Sequence, residues 1–329
     1  MHRRGMNLRK GLLRLILPAL RTFLPPRAAT RFVAGIGRAE YALRPGLRRR
    51  FDAAITHGGR HFRLDWDPAA LGRELAGNHV RWRTRDQLLD GLPPEKLTEL
   101  FQVTGRDWLD AALREGRGVI LLGNHYGAHL LPAHWLLRGG YAVRLFMERP
   151  HTISKFLNRQ FETDGPLGQR KLFISRRSGA TEAAASVLRA ARILKAGMIV
   201  EIAGDVRWSG PHTAPARFLG REYTFSATWV ALAALTGAPV VTVFCRMAPD
   251  GSHQLEFLPP FHVPPDAASD GRAAPWVQAC LDAIEQRVRE DPANSNDYFF
   301  WAESSASAVD PGRPRRGRAR ARRSAGTGR

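Results

Sequence analysis

Cysteine is nearly absent: Cys245 and Cys280 are the only two among 329 residues, and they stand in no CxxC or metal-ligand spacing. That pattern excludes a disulfide framework and leaves two isolated buried thiols. No GxGxxG or Walker loop follows a strand and no HExxH occurs, so nucleotide and zinc chemistry have no local support, and the expectation is no metal and no cofactor. Acid is scarce at both ends. Residues 1–51 carry thirteen Lys/Arg against Glu40 alone, a charge of +12, and residues 311–329 carry eight Arg and no acid, a charge of +8. The net charge of +20 therefore belongs to the two ends, and the body from Asp52 to Asp310 is neutral. A neutral body without a basic–aromatic recognition module argues against nucleic acid as a partner.

Long apolar runs are also missing where a membrane span is first sought. Residues Leu8–Leu24 are strongly apolar, but Arg9, Lys10, Arg14 and Arg21 interrupt them, and the longest unbroken stretch is Leu15–Leu20, far short of a span. On a helical wheel the four cations fall within an arc of roughly 140°. A cleavable signal peptide competes, but Arg14 breaks its apolar centre and no small-x-small site follows. The segment reads as an interfacial helix, with leucines in the acyl boundary and arginines on anionic headgroups. Packing of the same helix on its own domain is the alternative.

What is present centres on GVILLGNHYGAHL, residues 118–130. Val119–Gly123 is a continuous apolar run, the pattern of a strand buried on both faces, and it delivers His125 at its exit. Open α/β sheets place their chemistry at the carboxyl ends of strands, and imidazole titrates near neutral pH. A second buried strand, MIVEIA, ends in Gly204 and Asp205. The segment ARFLG (216–220), followed by EYTFS (222–226), is expected to shape the rim of a cleft shared by the two strand ends. Ser226 lacks a GxSxG setting and reads as a helix N-cap rather than a nucleophile.

In chain order, a helix is expected over Ala28–Leu43, then a basic knot at Leu47–Arg50, and a mainly helical region over 68–116. From 118 the pattern alternates. Strands are expected at Val119–Gly123, Ala142–Met147, Lys171–Ser175, Met198–Ala203, Pro239–Arg246 and Gln254–Leu258. Helices are expected at Ala128–Arg138, Ile153–Glu162, Ala180–Lys195, Ser226–Thr236 and Ala274–Glu290. The fold class is thus α/β: a mixed, mostly parallel sheet flanked by helices, with a helical N-terminal region and an interfacial membrane helix. The expected organisation is an anchoring segment at 1–26, a catalytic domain at 27–302 (helical to 116, α/β from 117) and an Arg-rich tail at 303–329 too poor in apolar residues to fold.

The blocks GVILLGNHYGAH, LRGGYAVRLFMERPH, LKAGMIVEIAGD, ARFLG and YTFSATWVALAALTGAPVVTVF, with the closing NDYFFWAES, occur in an order that resembles the late (lauroyl/myristoyl) acyltransferases of lipid A biosynthesis, within the lysophospholipid acyltransferase superfamily. The resemblance spans roughly residues 25–302. It implies direct transfer of a fatty acyl group from an acyl carrier protein or coenzyme A thioester to a hydroxyl of a glycolipid or phospholipid acceptor. The catalytic residues would be His125, as general base, and Asp205. The place of action would be the cytoplasmic face of the inner membrane, whose anionic surface suits the basic ends. By the same resemblance Arg149, Arg159 and Arg176 hold phosphate, and Asn124, Tyr126, Gly127, Gly204, Phe218 and Gly220 belong to the substrate site.

One position departs from that family. Its histidine is followed, after four residues, by Asp or Glu that orients the imidazole; here the position is Leu130. Three readings follow: Asp205, Glu201 or Glu148 supplies the carboxylate from another strand; His129 acts as a neutral relay or acceptor; or the chain is a lipid-binding relative without turnover.

Overall fold

A computed structural model describes residues 8–89, 92–148, 171–174, 180–209, 212–269, 271–295 and 298–301. The described residues start with four helices: α1 (Leu8–Phe23), α2 (Pro26–Leu43), α3 (Pro45–Phe62) and α4 (Pro68–Leu89). Proline at the first turn of α2 and α3 costs no intrahelical hydrogen bond. Leu17 and Leu20 of α1 are buried with Val33 of α2 and Val80 and Leu88 of α4. At these two residues the helix packs on its own domain, the alternative its sequence left open. Phe23 at its end stays 81% exposed. Among the described residues no helix is long and apolar enough to cross a membrane. The basic knot at 47–50 lies in the first turns of α3.

After α5 (Pro94–Thr98) comes the strand β1 (Phe101–Thr104), then α6 (Arg106–Arg114). The expected helical region is therefore interrupted. β1 exists because it pairs in parallel with β9 (His253–Phe257), Phe101 opposite His253, a contact that no local pattern announces. The remaining elements are β2 (Val119–Gly123), α7 (Leu131–Arg138), β3 (Val143–Glu148), β4 (Lys171–Ile174), α8 (Ala180–Lys195), β5 (Ile199–Ala203), β6 (Thr213–Phe218), β7 (Arg221–Ser226), α9 (Thr228–Thr236), β8 (Val240–Met247) and α10 (Ala274–Glu290). The helix expected at Ile153–Glu162 lies outside the described residues. Ser226 closes β7, and the cap position of α9 is Ala227.

Seven strands form one sheet in the order β1-β9-β8-β2-β5-β3-β4, and β6 and β7 form a separate antiparallel hairpin. All neighbours in the large sheet are parallel except β8 and β9. β2 sits in the middle, and its alternating side chains feed two cores. Ile120 and Leu122 join α8, α9 and α10 on one face. Val119 and Leu121 join α6 and α7 on the other. The chain leaves β2 toward α7 on the second face, and leaves its neighbour β5, through the hairpin, toward α9 on the first. Adjacent strands whose connections part to opposite faces open a crevice at their carboxyl ends.

Candidate active site

β2 and β5 are parallel and in register, Val119 opposite Ile199 through Gly123 opposite Ala203. Each strand continues two residues past its last pair, so the register sets His125 beside Asp205. The Gly204 amide donates to the Gly123 carbonyl at 2.8 Å and ties the two exits together. His125 Nδ1 lies 2.9 Å from Asp205 Oδ1, and the His125 backbone N–H donates to Oδ2 at 2.9 Å. The Tyr298 hydroxyl donates to the same Oδ2 at 2.6 Å. Asp205 is fully buried, while the His125 side chain remains 44% exposed.

Burial pushes the Asp205 carboxyl up, but the charge of His125 and the three donors outweigh it and hold Asp205 below the ordinary carboxylate range. Asp205 is thus an anion at neutral pH, an acceptor to which imidazole presents Nδ1–H. That tautomer leaves Nε2 as the nitrogen that takes a proton. Burial and the adjacent Asp205 raise the Tyr298 hydroxyl well above its ordinary value, so it stays a donor. Of the carboxylates offered by the sequence, Asp205 is the one on His125; nothing is described of the Glu148 side chain. Leu130, at the family's acidic position, adopts a left-handed conformation (φ 74°) as the cap of α7.

His129 lies 4.7 Å from His125 between ring centroids. Trp82 of α4 donates from its indole Nε1–H to His129 Nδ1 at 3.1 Å and packs against the ring at 5.1 Å. Removal from water, then the charges of His125 and Arg85, push His129 well below the ordinary imidazole range, so it is neutral.

The other expected residues fall into two groups. Arg149, Arg159 and Arg176 lie outside the described residues. For the rest, the contacts described are with the scaffold. Asn124 is buried, donates from Nδ2 to the Val243 carbonyl at 2.9 Å and accepts the Tyr126 amide at 3.1 Å. The Tyr126 hydroxyl donates to the Asp291 carbonyl at 3.2 Å, and burial, its largest influence, raises its pKa beyond any working range. Gly127 lies on the Cys245 carbonyl and Gly204 on Cys280 Sγ, with no room for a methyl group. Phe218 is buried with its ring edge-on to Tyr298 at 5.1 Å, which seats the hydroxyl that holds Asp205. Gly220 forms the β6–β7 turn against His61 of α3. Tyr298 and Trp82 were not anticipated; the aromatic cluster YFFW at 298–301 was the available signal for the first. Both cysteines are free and buried, as expected.

A cavity of about 340 Å³ opens on the far side of Tyr126, between β8, β9 and the end of α10. It excludes His125 and Asp205, and its charges pair internally: Arg246 with Asp291, and Arg287 with Glu256 and Glu290. Among the described residues no cluster of His, Cys, Asp or Glu has the geometry of a metal site.

Glu201, in the middle of β5, is buried with Oε2 unpartnered, and burial pushes its carboxyl up from an ordinary 4.5 to about 8. It is neutral at pH 7 and does not serve as the orienting anion. Between these two values the folded state holds a proton that the unfolded state has released, so stability is full below 4.5 and is lost as pH rises through 8. Glu201→Gln should remove that slope. Its stability advantage over the parent should grow by about 2–4 kcal/mol between pH 5 and pH 9 in urea titrations. A difference that stays constant with pH would mean that Glu201 ionises normally.

No curated protein matches the chain. The sequence profile of the family described as bacterial lipid A biosynthesis acyltransferase matches residues 87–301, a span that holds His125, Asp205 and Tyr298 and begins near the end of α4. By that match the chain belongs to the bacterial lipid A biosynthesis acyltransferases, enzymes that transfer an acyl group to a lipid acceptor.

Proposed function

We propose that the protein moves a fatty acyl group from a thioester, carried by acyl carrier protein or coenzyme A, to a hydroxyl of a lipid A-like or phospholipid acceptor, with His125 as general base. The observation that carries the reading is the buried Asp205 on His125 Nδ1, at the crevice between β2 and β5. His125 Nε2 takes the hydroxyl proton as the acceptor oxygen attacks the thioester carbon, and Asp205 balances the imidazolium that forms. Collapse of the tetrahedral intermediate breaks the C–S bond, and His125 returns the proton to the leaving sulfur. Ester and free thiol form together, with no acyl-enzyme.

The acceptor and donor meet at a membrane surface in this reading, the cytoplasmic face of the inner membrane. Exposed Arg31, Arg48 and Arg49 supply charge for anionic headgroups, and the exposed Phe23, Phe32 and Leu43 of the same helical region supply apolar points. The test offers acyl carrier protein and coenzyme A thioesters of several chain lengths to the purified protein on vesicles that contain bacterial lipid extract. One free thiol should appear for each acyl ester formed on lipid. Thiol release without ester would identify a thioesterase. Membrane binding with no thioester consumed would identify a lipid binder that lacks turnover. Either result overturns the reading.

A further inference from the structure

The dyad accounts for proton movement but not for the charge that develops on the carbonyl oxygen. Acyl transfer passes through a tetrahedral intermediate, and a donor fixed beside its oxyanion is commonly the largest catalytic contribution. The reading of the site as an acyltransferase leaves that donor unassigned, and the inference rests on that reading.

The geometry points to His129 as a second catalytic histidine, whose Nε2–H donates to the oxyanion formed when the acceptor hydroxyl attacks the thioester. Three observations carry this. First, indole N–H is a donor only, so the 3.1 Å bond from Trp82 requires a lone pair on His129 Nδ1. In a neutral ring the single proton is then on Nε2, and the tautomer is fixed by a neighbour 47 residues away. Second, among the described residues no protein group bonds His129 Nε2, and the residue is only partly buried, so this N–H is open to a ligand. Third, the ring centroids of His125 and His129 lie 4.7 Å apart at 58°. With Nδ1 of His125 on Asp205 and Nδ1 of His129 on Trp82, each ring is anchored through one nitrogen and works through the other.

The two functions do not interfere. A protonated His129 beside His125 would repel the imidazolium that forms during attack, whereas a neutral ring donates without adding charge. Arg85 lies over the Trp82 ring at 5.1 Å and adds to the field that keeps His129 neutral. The step balances: the acceptor O–H bond breaks, its proton goes to His125 Nε2, and the C–O bond forms. The carbonyl π pair moves to the oxygen held by His129 and returns as the C–S bond breaks, and the proton passes from His125 to the sulfur.

The test compares wild type, His125→Ala, His129→Leu and His129→Gln in the vesicle assay, with thermal unfolding of each. His129→Leu should lower kcat about 10²–10³-fold with KM little changed, the cost of one oxyanion donor. His129→Gln, whose side-chain amide can place an N–H near the lost Nε2–H, should recover most of that loss. Nitrogen-15 spectra of the wild type should show His129 protonated at Nε2 and bare at Nδ1. The inference is overturned, with the function intact, if His129→Leu matches an active wild type, if leucine and glutamine lower activity equally, or if Nδ1 carries the proton. An inactive wild type, or an active His125→Ala, would instead overturn the functional reading and take this inference with it. Should His129→Leu fail to fold, the glutamine variant and the spectra decide.

Discussion

Asp205→Asn is expected to lower acyl transfer about 10⁴-fold, the cost of the equivalent change in the serine-protease triad. The reason lies in the donor count. Asp205 receives three donors: His125 N–H, His125 Nδ1–H and Tyr298 O–H. An ionised carboxylate accepts all three, whereas an amide offers one oxygen and turns its own N–H₂ toward the rest. The imidazole escapes the clash by moving its proton to Nε2, the nitrogen that must be bare to act as base. The imidazolium formed during attack also loses its counter-ion in a buried setting. His125→Ala should be as damaging, and the double variant no worse than either, because the two residues act as a unit. Stability should fall by about 1–3 kcal/mol in Asp205→Asn for the unmatched donors. Activity within tenfold of the parent, measured on folded protein, would show that another group orients His125.

Gly127→Ala is expected to cost about 3–4 kcal/mol of stability, the sum of overpacking and a left-handed backbone. Gly127 has φ 60°, and an added Cβ would stand 2.1 Å from the Cys245 carbonyl oxygen. Neither side can yield cheaply. The loop is pinned by Gly127 N–H on the Asn294 carbonyl at 2.8 Å and by Ala128 N–H on the same Cys245 carbonyl at 2.7 Å. Cys245 lies in β8, an internal strand beside the central β2. The melting temperature should drop by roughly 6–12 °C, and activity should fall even below the melt because the same loop aims His125. Gly116→Ala is the control. It shares the positive φ (75°) but has nothing within 4 Å, so it should cost only about 1 kcal/mol. Equal losses in the two variants would assign the effect to backbone conformation alone and remove the role of the Cys245 contact.

Much of the α/β half was legible in the sequence because its signals are local. The run Val119–Gly123 gave β2 to the residue, and the periodicity of Ala180–Lys195 and Ala274–Glu290 gave α8 and α10 to the residue. β1 was read as helix: four residues, FQVT, stand between helical stretches, and their pairing with β9 joins positions about 150 residues apart. α3 falls inside the stretch to 116 read as helical, but its bounds are not legible locally: Phe51, Ala54, Ile55, Gly58 and Gly59 form its buried stripe, and glycines and arginines mask that periodicity. For the site, each strand end pointed to its own residue, His125 or Asp205. Their pairing depends on the register that sets Gly123 opposite Ala203, and one strand's sequence carries no information about its partner's register. Trp82 and Tyr298 reach the site only through tertiary packing, so their roles were beyond a local reading.

The Tyr298 hydroxyl on Asp205 also orders the making of the site in time. The ribosome adds Tyr298 93 residues after Asp205 and 173 after His125. Until that segment emerges and Phe300 closes on Phe51 of α3, at 5.1 Å between rings, Asp205 lacks its third donor. The sheet that carries both dyad residues can form first. A nascent chain would thus hold an assembled scaffold before Asp205 is fully held, because the last of its three donors lies far downstream of both strands.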